Sequence, residues 1–139
     1  MIFRITIQEV ELIAYRMAKE LLKWDEPIPD FSTRFPYSLE SCLSEPFQTF
    51  NKRALHVGLY DQAASLFYLM IKNHPFRNGN KRIAITTLFH FLSKNGKWIR
   101  VENQELYNFA VWVASSPPQF REETLSAIKK FLKNNVVEI

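Results

Sequence analysis

The segment LYDQAASLFYLMIKN, residues 59–73, constrains the fold most. Ala63, Leu66, Phe67, Leu69, Met70 and Ile71 cover nearly the whole circumference of a helix and leave no wide polar face for water. Such a helix has to be wrapped by others, so residues 59–73 predict the central helix of a bundle. After a polar interval, Ile83, Leu88, Phe89, Phe91 and Leu92 recur at roughly helical spacing, and Gly96 is a plausible stop. A chain of 139 residues with 47% hydrophobic content and three glycines then reads as one α-rich domain, residues 1–139, with enough apolar material for a core.

The polar interval is His74-Pro75-Phe76-Arg77-Asn78-Gly79-Asn80-Lys81-Arg82. A helix starting near Gly79 or Asn80 leaves its first amides without intrahelical carbonyl partners. With the positive end of the dipole and a glycine that permits close approach, those amides form an anion cradle. Lys81 and Arg82 in the first turn oppose the helix dipole, but they suit a polyphosphate lying there, where arginine can fork over two oxygens. His74 stands one short loop away. Imidazoles ordinarily titrate near a pKa of about 6.5, so a neutral one can accept a proton from an attacking hydroxyl at cellular pH. Phe76 is expected to face inward and anchor the loop to the core.

This stretch closely resembles the signature of the Fic/Doc (Fido) family, H-P-F-x-[D/E]-G-N-x-R. Many adenylyl-transferring members carry glycine before the arginine and a second arginine three residues beyond it. Here the letters are Asn80-Lys81-Arg82, with Ile85 at the second position, which resembles the Doc, or death-on-curing, branch. The resemblance implies an all-α Fido-fold bundle with a short β-hairpin flap. It also implies a toxin of a toxin-antitoxin pair that transfers phosphate from ATP, with Mg²⁺, to a Ser or Thr hydroxyl of a translation elongation factor. In that reading His74 is the general base, Gly79 and Asn80 bind phosphate through backbone N–H and amide, and Lys81 and Arg82 neutralise charge. The family's metal-binding acid is Asn78 here, and Mg²⁺ usually sits on one or two carboxylates plus substrate phosphates, so an amide oxygen should weaken or alter its binding.

Along the rest of the chain, Thr6 and Glu9 make a capping box for a first helix running to about Trp24, with Val10, Ile13, Ala14, Met17, Leu21 and Leu22 on one face. Residues 25–36 hold three prolines and should be loop. Ser38 is expected to cap a short helix through Leu43 with Leu39, Cys42 and Leu43 inward. YSLESCLSEPFQTF resembles the Doc pattern before the active-site helices, which implies a flap from about Pro46 to Lys52. Phe47, Thr49 and Phe50 would there be extended and dock the target backbone by β-augmentation. Trp98 to Val101 suggests a short extended piece. Asn103 should cap a helix through Ala114, and residues 122–134 read as a last amphipathic helix whose Lys129, Lys130 and Lys133 form a solvated face. Trp98, Trp112 and His90 read as core or rim.

Net charge is +4 and the pI about 9.3, with no long basic run, so direct nucleic-acid binding is not expected. Cys42 is the single cysteine, which excludes an intrachain disulfide and suits a reducing cytoplasm. The N-terminal residues show no export pattern, and no apolar run approaches membrane-spanning length. Family members restrained in cis carry an [S/T]-x-x-x-E-[G/N] helix. The nearest string, Ser41 to Glu45, is followed by Pro46 where the flap should begin, so a separate antitoxin protein is the expected partner. Two alternatives fit the same residues. One is Fic-type AMP transfer; the other is a non-catalytic nucleotide-binding protein, because Asn78 replaces the acid.

Overall fold

The structure is a computed structural model that describes residues 1–21, 27–50, 53–54 and 58–139. The described chain is a helical bundle with two small two-stranded antiparallel pairings, in agreement with the all-α expectation. Helix α1 covers residues 7–21 as three consecutive helical stretches, the middle one, Val10–Tyr15, being π-helical. Thr6 and Glu9 cap it as the capping box requires: the Thr6 hydroxyl accepts from the Glu9 amide at 3.1 Å, and the Glu9 carboxylate accepts from the Thr6 amide at 3.2 Å. The expected run of α1 to Trp24 extends outside the described residues.

Helix α2, Pro36–Ser44, begins two residues before Ser38, with Pro36 in the first turn where its missing N–H costs nothing. Leu39, Cys42 and Leu43 are buried as expected. A 3₁₀ turn, Glu45–Phe47, leads into β1, Thr49–Phe50, which pairs antiparallel with β2, Arg53–Ala54. A hairpin therefore stands where the flap was expected, but Pro46 and Phe47 belong to the turn rather than the extended strand, and Lys52 lies outside the described residues.

Helix α3, Leu59–Lys72, is the central element. Residues 63–71 are all buried, and α3 is surrounded by the 45–47 turn, α4 (Asn80–Lys94), α5 (Asn103–Ser115) and α6 (Arg121–Asn135). Phe67 and Phe91 fill the interior with Leu66, Leu69 and Ile83, each such side chain contributing about 1.5–3 kcal/mol by leaving water. Strand β3, Lys97–Ile99, is the expected extended piece. It pairs with β4, Val136–Glu138, a strand the sequence reading did not anticipate. Among the described residues no helix is long and apolar enough to cross a membrane.

Polar links tie α1 to α4. Thr86 of α4 is fully enclosed, and its hydroxyl donates to the Ala14 carbonyl inside the π-helical stretch at 2.7 Å. Near the other end of α4, His90 Nε2 lies 2.6 Å from Glu9 Oε2, and Lys94 Nζ lies 2.8 Å from Glu9 Oε1.

Candidate active site

The motif loop joins α3 to α4, and its shape follows from contacts on both sides of His74. The Ser38 hydroxyl donates to the Asn73 carbonyl at 2.7 Å, and the Phe35 amide donates to the Pro75 carbonyl at 2.8 Å. Ser38 is thus a brace for the loop rather than a helix cap. Held between these two bonds, His74 adopts φ +45°, a left-handed conformation rare for a residue with a Cβ. Strain of this kind costs on the order of 1–3 kcal/mol and persists where the surroundings over-determine it. It leaves the imidazole exposed at the pocket.

Phe76 is buried as expected, with its ring 6.3 Å from Tyr15 and 5.7 Å from Phe31. The Tyr15 hydroxyl in turn donates to the Pro29 carbonyl at 2.6 Å, so α1 and the proline-rich segment clamp the loop together. Asn80 closes it. Its Oδ1 accepts from the Phe76 amide at 2.9 Å, and its Nδ2 donates to the Phe76 carbonyl at 2.8 Å. The Asn80 side-chain amide is therefore committed to the loop, and what Asn80 can offer a phosphate is its backbone N–H.

Gly79 is the N-cap of α4 with φ +78°. A Cβ there would lie 2.7 Å from Ile28 Cγ1 and 3.3 Å from the Arg82 guanidinium. Both the conformation and the close approach of Ile28 demand glycine. The helix that follows starts at the wall of a pocket of about 180 Å³, which brings its positive pole to that pocket. His74, Gly79, Asn80, Lys81 and Arg82 line it together, as does Asn78, whose Nδ2 is 3.5 Å from the Pro27 carbonyl. The sequence reading missed Arg77 and Tyr107, which line the same pocket. Arg77 occupies the signature's variable position, and Tyr107 comes from α5, so no local pattern could have pointed to it. Ligand pockets for whole small molecules run to roughly 300–1,000 Å³. This one is the size of a phosphate group or two, and a nucleoside would extend beyond it.

The flap residues lie elsewhere. Phe47 is half-buried, its ring 5.8 Å from Phe91 and under the Arg4 guanidinium at 4.7 Å. Phe91 is eleven residues along α4 from Asn80, about 16 Å at 1.5 Å per residue. Phe47 thus anchors the base of the hairpin to the core, Thr49 is exposed, and Phe50 lies in β1. Cys42, buried below the loop, has its thiol pushed up to about 12, first by burial and then by Glu45, which makes it unreactive.

The Fic/DOC family model matches residues 5–92, well over half of the chain and including the whole motif loop. The chain belongs to the Fic/DOC family. Neither a curated protein nor a solved structure matches it. Fic/DOC members generally transfer a nucleoside monophosphate to proteins, which makes this chain a transferase-family domain. The matched span carries α1 to α3 and most of α4, ending at residue 92, so Tyr107 of α5 lies outside it.

A Fic/DOC domain that grips Mg²⁺ itself needs oxygen donors at this pocket. Among the described residues no carboxylate lines it, and none of their acidic, histidine and cysteine side chains cluster in threes. Asn78 offers an amide oxygen, while the Asn80 oxygen is already accepting from Phe76. The described donor set does not fit a protein-held Mg²⁺, whose usual ligands include one or two carboxylates.

Proposed function

We propose that this Fic/DOC protein is a Doc-like phosphotransferase that moves the γ-phosphoryl group of ATP to a Ser or Thr hydroxyl of a protein. The observation that carries this reading is the convergence of His74, the Gly79 cradle, Lys81 and Arg82 on one phosphate-sized pocket at the start of α4. His74 would take the hydroxyl proton as the oxygen attacks the γ-phosphorus. A new P–O bond forms while the bond to the β,γ-bridging oxygen breaks, and ADP leaves. The α4 amides, Lys81 and Arg82 would stabilise the negative charge on the transferred group.

The choice of phosphate over AMP rests on the motif letters. Ile85, which stands at the second-arginine position of adenylyl-transferring signatures, is 1% exposed inside the core, so that position offers the pocket no arginine. In the Doc reading the substrate is a translation elongation factor, the consequence is arrest of translation, and a separate antitoxin restrains the enzyme. AMP transfer remains the second reading, favoured by the general chemistry of the family.

The test labels a bacterial extract with the purified protein and ATP carrying label at either the γ- or the α-phosphate, with His74→Ala as control. Label from γ alone that depends on His74 is expected. Label from α would move the protein to AMP transfer, and no His74-dependent label from either would leave the non-catalytic nucleotide-binding reading.

A further inference from the structure

Two local features oppose the backbone conformation of His74. A Cβ disfavours a positive φ, and the ring of Pro75 pushes the residue before it toward the extended region. By local preference alone His74 would be extended. Its φ is +45° nonetheless, so contacts from elsewhere in the fold impose it. Those contacts come from the start of α2. Asn73 is the C-cap of α3, where the last carbonyls have no partner within their own helix. The Ser38 hydroxyl takes the Asn73 carbonyl, and the amide of Phe35, the N-cap of α2, takes the Pro75 carbonyl. The first bond orients the peptide plane that ends at the His74 nitrogen, and φ of His74 is the rotation out of that plane. The second orients the plane that follows Pro75. The residues on both sides of His74 are thereby fixed to one helix. Because the Phe35 bond is backbone to backbone, Ser38 supplies the one of the two that a side-chain change removes. Strain at a left-handed residue and the worth of a single neutral hydrogen bond are of similar size, so losing the Ser38 bond is enough to let His74 relax.

We propose that Ser38 is a positioning residue for the transfer step, holding His74 in its left-handed conformation so that the imidazole stays at the pocket. The inference rests on the reading of His74 as the base and adds to it a side chain of α2, outside the motif. Asn80 closes the other half of the loop through its own bonds to Phe76, so the start of α4 keeps its shape without Ser38. Loss of the Ser38 hydroxyl therefore displaces the base and leaves the proposed phosphate cradle in place. A displacement of about 1 Å at a reacting group can cost about 10²-fold in rate.

The test compares the intact wild-type protein with Ser38→Ala and with Ser38→Thr, which keeps a hydroxyl. NMR scalar couplings about the N–Cα bond of His74 read its φ whether or not the protein is active. Wild type and Ser38→Thr are expected to show a positive φ, and Ser38→Ala a negative one. Transfer is then followed with ATP labelled at whichever phosphate the wild type passes to protein in a bacterial extract. Ser38→Ala should lower the rate at saturating ATP by about 10–100-fold with the KM for ATP within about twofold of wild type, and Ser38→Thr should restore the rate. A Ser38→Ala protein that keeps a positive φ, or transfers within about twofold of the wild-type rate, overturns the inference and keeps His74 as the base. A Ser38→Ala protein that thermal melts show to be unfolded, or whose loss Ser38→Thr does not restore, makes Ser38 a structural residue and also overturns it. No His74-dependent transfer by the wild type sinks the base reading and the inference with it, whatever the couplings show.

Discussion

The two ends of α4 treat positive charge in opposite ways. At the C-terminal end, Lys94 donates to the Arg4 carbonyl at 2.7 Å and pairs with Glu9, which also holds His90. Asn95 accepts from the Phe3 amide at 2.7 Å and donates to the Phe3 and Phe91 carbonyls at 2.9 and 2.8 Å. Cations there complement the helix dipole and meet a carboxylate, so that end is complete within the protein. At the N-terminal end, Lys81 and Arg82 oppose the dipole, and among the described residues no acid lines the pocket they share. The same residue types stabilise the fold at one end and line the pocket of the proposed site at the other.

Removing His74 should break the comparison most sharply. His74→Ala is expected to slow transfer about 10²–10⁴-fold in single-turnover assays while leaving the melting temperature in place, because the imidazole is exposed. An unchanged rate would remove the proposed base. Gly79→Ala should damage both fold and site. Its Cβ would collide with Ile28 at a left-handed φ, so denaturant titration should show a loss of about 1–3 kcal/mol together with weakened ATP binding.

At the other end, Asn95→Ala should cost about 1–2 kcal/mol of stability through its lost hydrogen bonds to the N-terminal segment, with ATP affinity intact. A parallel fall in affinity would mean that the two ends are coupled. The smallest effect is the acid dependence of Glu9. Burial pushes its carboxyl up, but hydrogen bonds from Lys94, His90 and Thr6 more than offset this and hold it at about 2, against 4.5 in the free side chain. A lowered carboxyl stabilises the fold above the unfolded value, so this contribution should be complete above pH 4.5 and vanish as pH falls toward 2. Denaturation midpoints of Glu9→Gln should show a flatter acid limb than wild type over that window.

The helices were legible because burial imposes a period on sequence. Residues 59–73 and 83–92 carry that pattern strongly, and their predicted starts and ends lie within a residue or two of α3 and α4. The capping box at Thr6 and Glu9 was legible because it is a local exchange of hydrogen bonds. Elements whose stability comes from distant partners were not. Strand β4 is three residues long and exists by pairing with β3 some forty residues earlier. Ser38 looked like a cap, yet its hydroxyl meets a carbonyl thirty-five residues away. Phe47 looked like part of an extended strand, but Pro46 favours a turn and Phe91 and Arg4 enclose its ring.

The order of residues from His74 to Arg82 by itself determined that an imidazole, a glycine turn at a helix start and two cations would lie within one loop and one helical turn, because covalent neighbours cannot separate far. It also determined the family to which the chain belongs. Tertiary structure decided which of those groups line the pocket. Asn80 turns to the Phe76 backbone, Ile28 seals the back of Gly79, and Tyr107 arrives from a helix beyond the motif. The reason is physical: backbone proximity is written in the chain, but the orientation of a side chain depends on hydrogen bonds and close packing with residues far from it in sequence.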